Sequence, residues 1–170
     1  MTDVTTPPDP QEGHEMSFAA DMTGRLLFWI AVVFSVFQIA TAAHIIDMPS
    51  QITRAFHVGF LTLLAFPLIA YGRGVGLQLR AIAWLFAAAG VAVALYQWWE
   101  YQPLIMRAGR PLTQDIVVGV VALIVVFAAA WTMMGPALPL IAGAFLAYCL
   151  FGEYLPSPLN HRGFDSTQVI

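Results

Sequence analysis

The 170-residue chain contains no lysine, a single cysteine and few charges of either sign, Asp, Glu, Lys and Arg together making up 10% of it. Each shortage excludes something. With Cys149 alone, no intrachain disulfide can form and no thiolate cluster can hold a metal; its ordinary role is that of a small apolar side chain. The fixed cations are seven arginines against ten acids, so no basic patch of the kind that holds nucleic acid is present. A soluble amphipathic helix is also excluded over long stretches, because it needs a polar face beside its apolar stripe. Residues 26–46, 81–99 and 116–134 carry no Asp, Glu, Lys or Arg at all. Each run approaches the roughly 20 apolar residues that a helix needs to cross about 30 Å of hydrocarbon. The pattern predicts an all-α integral membrane protein with four transmembrane helices and a shorter fifth hydrophobic helix.

Three regions follow. Residues 1–23 hold Pro7, Pro8, Pro10 and five acids, which predicts a disordered acidic tail. No basic residue precedes Arg25, so the tail is not a signal peptide and the first helix is expected to stay as an anchor. Residues 24–152 form the helical domain and 153–170 a polar connector or tail. Within the domain the spans are expected at 25–46, 52–71, 79–99 and 115–134, with 137–151 as the fifth segment. Asp21 or Thr23 is available to cap the first. Asp47, Met48, Pro49 and Ser50 end it, and Gly72, Arg73, Gly74 and Gly76 close the second. Residues 100–114 read as a hinge.

Trp29, Trp98, Trp99, Tyr101 and Trp131 lie near span ends, where aromatic rings favour the headgroup level of a lipid bilayer. Arginines divide almost evenly between the two faces, with a slight lean towards a cytoplasmic N-terminus. Small residues four apart in the third span (Ala83 and Ala87, Ala88 and Ala92, Gly90 and Ala94) permit close helix approach. Gln38, in the middle of the first span, needs a hydrogen-bond partner in hydrocarbon and marks a protein contact.

Chemistry is sparse. No nucleophile–base pair, phosphate-cradling loop or paired carboxylate falls within a span, and the span centres lack the ionisable residues that mark an ion or substrate path. Catalysis is not expected, nor is a resident cofactor. His44 and His57, at adjoining ends of the first two spans, leave one redox alternative, a small membrane haem or quinone subunit: two such histidines can clamp a haem iron. Arg54 and His57 share a helix face, and Asp47 is close enough in sequence to pair with Arg54.

Two stretches go further. The hinge reads Arg107-Ala108-Gly109-Arg110-Pro111-Leu112-Thr113-Gln114-Asp115. The end reads Ala137-Leu138-Pro139-Leu140-Ile141, then Tyr148, Phe151-Gly152, Tyr154-Leu155-Pro156 and His161-Arg162-Gly163-Phe164. Together with Leu27-Phe28-Trp29-Ile30-Ala31 and Arg54-Ala55-Phe56-His57-Val58-Gly59-Phe60, these resemble the N-terminal region of fused TRAP transporter permeases that work with TAXI-type periplasmic binding proteins. The resemblance runs from Arg25 to Phe164.

The resemblance implies a secondary transporter of organic anions in a bacterial inner membrane, driven by a sodium or proton gradient. A periplasmic binding protein delivers the solute, and a small helical region braces a large multi-span permease. This chain would be that small region, as a separate subunit or as the N-terminal portion of a fused protein. Contacts to the partner are then expected from Gln38, Arg54, His57, Arg107, Gly109, Arg110, Asp115, His161 and Arg162. In the hinge, Gly109 allows a tight turn, and Pro111 precedes a helix that Thr113 is placed to cap. One departure stands out: residues 128–134 read Ala-Ala-Ala-Trp-Thr-Met-Met where charged Glu and Arg are expected from the resemblance.

Overall fold

A computed structural model of the chain describes residues 22–162 and Phe164. The acidic tail with Asp21, and all of the chain's end beyond Arg162 except Phe164, lie outside the described residues. Among the described residues six α-helices follow one another: α1 (Met22–Ala42), α2 (Ser50–Gly72), α3 (Leu77–Trp99), α4 (Tyr101–Met106), α5 (Thr113–Met134) and α6 (Ala137–Phe151). All but α4 contribute to five segments long and apolar enough to cross a membrane. The protein is an all-α, multi-pass membrane protein.

The fifth segment is resolved by a detail at its end. Helix α6 has 15 residues, about 22 Å at the usual helical rise. A 3-10 turn, Gly152–Tyr154, extends it to an 18-residue segment. At roughly 2 Å per residue the turn adds about 6 Å, bringing the length close to a hydrocarbon core.

Helix α1 is shorter than expected, ending at Ala42 rather than at residue 46. The apolar run continues, but the backbone turns. His44 adopts φ 53°, a left-handed conformation usually left to glycine. Its N–H bonds to Thr41 O, and the Ile45 N–H reaches back to Ala40 O. That bond pair is a Schellman closure, which satisfies carbonyls at the helix end. Helix α2 ends by the same device with Gly74 at φ 59°: Gly74 N–H bonds to Tyr71 O and Val75 N–H to Ala70 O. Thr23 lies inside α1 instead of capping it.

The most extensive packing joins α2 and α3. Ala83, Ala87, Gly90 and Ala94 of α3 are all buried, whereas Ala88 and Ala92 face outwards. Of the expected small-residue pairs, two therefore pack within the chain and one stays free. Gly59 and Gly90 mark the closest approach. A Cβ at Gly59 would lie 2.9 Å from that of Ala94, and one at Gly90 would overlap the fully buried Thr62. Thr62 in turn donates its hydroxyl to Gly59 O at 3.0 Å, so its own polar group needs nothing from lipid.

The other helices attach to this pair. Helix α5 contributes Val125 and Ala129 to a buried cluster with Phe66, Ala70 and Ala83. Helix α1 meets α2 through aromatic rings: Phe34 stacks on Phe60 at 5.2 Å, and Phe37 contacts both Phe56 and Phe60. Helix α6 rests on α5.

Gly90→Ala is expected to destabilise the fold by about 1–3 kcal/mol through overpacking. Adding Thr62→Ala should recover part of that loss, because the two sites are in contact. Unfolding midpoints of both variants in detergent micelles test the coupling; simple additivity would show that the two helices do not meet here.

Candidate functional site

Alternate crossings bring the end of α1, the start of α2, the end of α3, the start of α5 and the end of α6 to one membrane face. Eight of the nine expected contact residues belong to the segments on that side: Arg54 and His57 in the first turns of α2, Arg107, Gly109, Arg110 and Asp115 from α4 into α5, and His161 and Arg162 after α6. The segment from α4 into α5 is not simply a hinge. Tyr101–Met106 forms the short helix α4, and Gly109 then turns the chain with φ 82°, as its place in the sequence predicts.

The turn is held by one carboxylate. Asp115 lies in the first turn of α5, with its side chain only 7% exposed. Arg107 donates Nε to Asp115 Oδ2 and Nη2 to Asp115 Oδ1, both at 2.8 Å, a two-pronged charge-assisted pair. The same Nη2 donates to Glu100 Oε2 at 2.9 Å. Tyr96 of α3 donates its hydroxyl to Asp115 Oδ1, and the Leu112 N–H donates to Oδ2 at 2.8 Å. The side-chain bonds from Asp115 and Glu100 hold the Arg107 guanidinium further above its already high value.

Capping follows from the same geometry. Leu112 occupies the N-cap position of α5 and Thr113 is the first helical residue, so Thr113 is not the cap. Asp115 does that work instead, three residues on, by accepting from the Leu112 N–H. A carboxylate in the first turn also suits the positive end of the helix dipole. Arg110 and Gly109 remain exposed beside this knot. The spacing of Glu100, Arg107 and Asp115 is visible in the sequence; the part of Tyr96 is not, because it depends on how α3 and α5 pack.

Other expected residues separate. Asp47 sits with His44 (Nδ1 to Oδ1 3.5 Å, both highly exposed) and not with Arg54. The Arg54 side chain has no hydrogen bond or ion pair among the described residues. His57 packs edge-on against Phe34 of α1, ring centroids 5.2 Å apart. His44 and His57 thus have different neighbours, and no bond or ring contact joins them. Among the described residues no group of three or more His, Cys, Asp or Glu is placed to hold a metal.

His161 closes the end of α6. Its Nε2 lies 3.0 Å from Tyr148 O and its Nδ1 2.8 Å from Arg162 O, while its ring stands edge-on to Tyr148 at 4.6 Å. The Phe164 N–H takes Cys149 O and the His161 N–H takes Gly152 O. These bonds satisfy carbonyls that a helix end leaves open. A side chain at Gly152 would collide with the His161 ring. His161 and Phe164 therefore fold back to cap the helix end, with Arg162 exposed beside them.

Gln38 is exposed on α1. Its carbonyl accepts from Thr41, but its side-chain amide bonds to nothing among the described residues. Gln51 behaves differently: its Nε2 donates to Gln97 Oε1 at 3.1 Å across α2 and α3. No family model, curated protein or solved structure matches the chain.

Asp115→Asn should free the hinge, and trypsin provides a clean readout because the Arg110–Pro111 bond is resistant to it. Cleavage after Arg107 is expected to speed up about tenfold or more, the factor that loss of one charge-assisted hydrogen bond corresponds to. Tyr96→Phe should give a smaller increase. Equal cleavage rates in wild type and Asp115→Asn would mean that the carboxylate does not hold the turn.

Proposed function

We propose that the chain is the small bracing component of a TRAP-type secondary transporter for organic anions, as a separate subunit or as the N-terminal portion of a fused permease. The observation that carries this reading is the Gln38 amide. It lies on an exposed face of α1 with Ser35 and Ala42, three and four residues away. Gln38 stands four residues, about 6 Å, from the end of α1 at Ala42, so near the end of the span and not in its middle; an exposed amide that hydrocarbon surrounds there is stabilised by a polar group on a neighbouring helix. No described residue of this chain supplies one, which points to a second membrane protein.

The resemblance over Arg25 to Phe164 names the class of that protein: a large multi-span permease, served by a TAXI-type periplasmic binding protein. The distribution of charge agrees with a static role. Hydrogen-bonded ion pairs fall in and beside the α3–α5 hinge, and the middles of the spans carry no titratable side chain that would serve as a translocation path. Arg110 and Arg162 project from the same face as the hinge and suit contacts with a partner's acids. In this reading the membrane is the bacterial inner membrane and the N-terminus is cytoplasmic.

The test is purification of the tagged chain from its own membranes in mild detergent. A TRAP-type permease is expected to co-elute, and the complex should carry sodium- or proton-driven uptake of an organic anion. Gln38→Leu should lower the co-eluting fraction roughly fivefold, the effect of one interhelical hydrogen bond of about 1 kcal/mol. A chain that elutes alone, or a Gln38→Leu variant that binds as well as wild type, would sink the reading.

A further inference from the structure

A cavity of about 600 Å³ opens between α2, α3 and α5, and its two ends differ in chemistry. The outer end is polar. Ser50, Gln51 and Arg54 come from the start of α2, and Gln97 from the end of α3, level with Trp98 and Trp99. The inner end is lined by Val58, Gly90, Val93 and Val125. From Gln97 down to Gly90 is seven residues, about 10 Å along the helix. Val126 lines the cavity yet stays 45% exposed, so the recess opens sideways at hydrocarbon depth.

The cation at the outer end is unopposed. Arg107 nearby is matched by Glu100 and Asp115, whereas Arg54 has no acid against it among the described residues. Its planar guanidinium fits phosphate through two parallel N–H donors, and its position near the headgroup level lets it keep that end in the polar zone. The two glutamines are tied to each other at 3.1 Å and leave further donors beside it. The valine-lined recess offers no polar side chain, so a polar solute reaching into it would leave its own groups unpaired. An anionic head and an apolar tail are what this lining matches.

We infer that this cavity is a binding site for one anionic phospholipid, with the headgroup phosphate on Arg54, flanked by Gln51 and Gln97, and one acyl chain along the valines. The site stands independently of the transporter reading, since it is built from this chain's own residues. Its occupant arrives laterally from the bilayer past Val126. A bound lipid here would fill the gap between α5 and the α2–α3 pair.

Native mass spectrometry of the purified chain, with added dioleoyl phosphatidylglycerol, dioleoyl phosphatidylcholine or inorganic phosphate, tests the inference. Wild type is expected to retain one phosphatidylglycerol in preference to phosphatidylcholine, and excess inorganic phosphate should not displace it. Arg54→Gln should lower retention about tenfold or more, as expected for a lost charge-assisted contact. Ala122→Phe, which places a ring in the lining of the recess, should lower it too, while Arg110→Gln, outside that lining, should not. Helicity and elution volume identify the folded variants, and a photoreactive residue at position 126 in native membranes gives a readout that needs no loss of function. Lipid adducts at 126 support the site. Equal retention by Arg54→Gln, equal binding of both lipids, displacement by phosphate, or protein adducts at 126 would each overturn it.

Discussion

In hydrocarbon no water is expelled when two helices meet, so their association depends on how closely the backbones can approach. Helices α2 and α3 approach through Gly59, Gly90 and Ala94, with Thr62 filling the space that Gly90 leaves open. The crossing sets the positions of everything attached to it. It aligns Gln51 with Gln97 so that the two amides satisfy each other. It presents Phe66, Ala70 and Ala83 as the surface on which Val125 and Ala129 of α5 settle. Helix α1 meets α2 through ring contacts of Phe34 and Phe37 with Phe56 and Phe60.

The second constraint is electrostatic and confined to one face. Asp115 accepts from Tyr96, Arg107 and Leu112, which belong to α3, to the turn after α4 and to the residue before α5. A single carboxylate therefore links the end of one span to the start of the next. Because the carboxylate is almost fully covered, its compensation must come from these donors and not from water. The apolar lengths of α3 and α5 are left free to meet lipid and each other, while the polar work is done where the chain turns.

The spans were legible because absence of charge over about 20 residues is a strong physical signal. Glycine closures were legible at Gly74 and Gly109, where the residue type itself allows the backbone. The end of α1 was not, since His44 adopts a conformation that its side chain does not favour, inside a run that reads as continuous helix. The Arg54–Asp47 pairing failed for a related reason: that turn leaves Asp47 next to His44. Adjacent charges were readable in the hinge, but the hydroxyl of Tyr96 became part of it only through packing between helices. Gln38 was readable as an amide within an apolar run, but not its place one turn from the end of α1, and no described residue pairs with its side chain.

The helices differ in length, with a consequence for the membrane itself. Helices α2 and α3, at 23 residues each, span about 34 Å, whereas α6 with its 3-10 extension spans roughly 28 Å. The surplus is polar: once the turns that carry Gln51, Arg54, Arg80 and Gln97 are set aside, α2 and α3 keep apolar lengths of about 27 Å and 24 Å, no greater than α6. The belt that meets hydrocarbon is therefore short on every flank, and the extra turns stand in the headgroup layer. A bilayer a few Å thicker would draw those polar side chains below the headgroups, so the molecule is matched to a thin membrane.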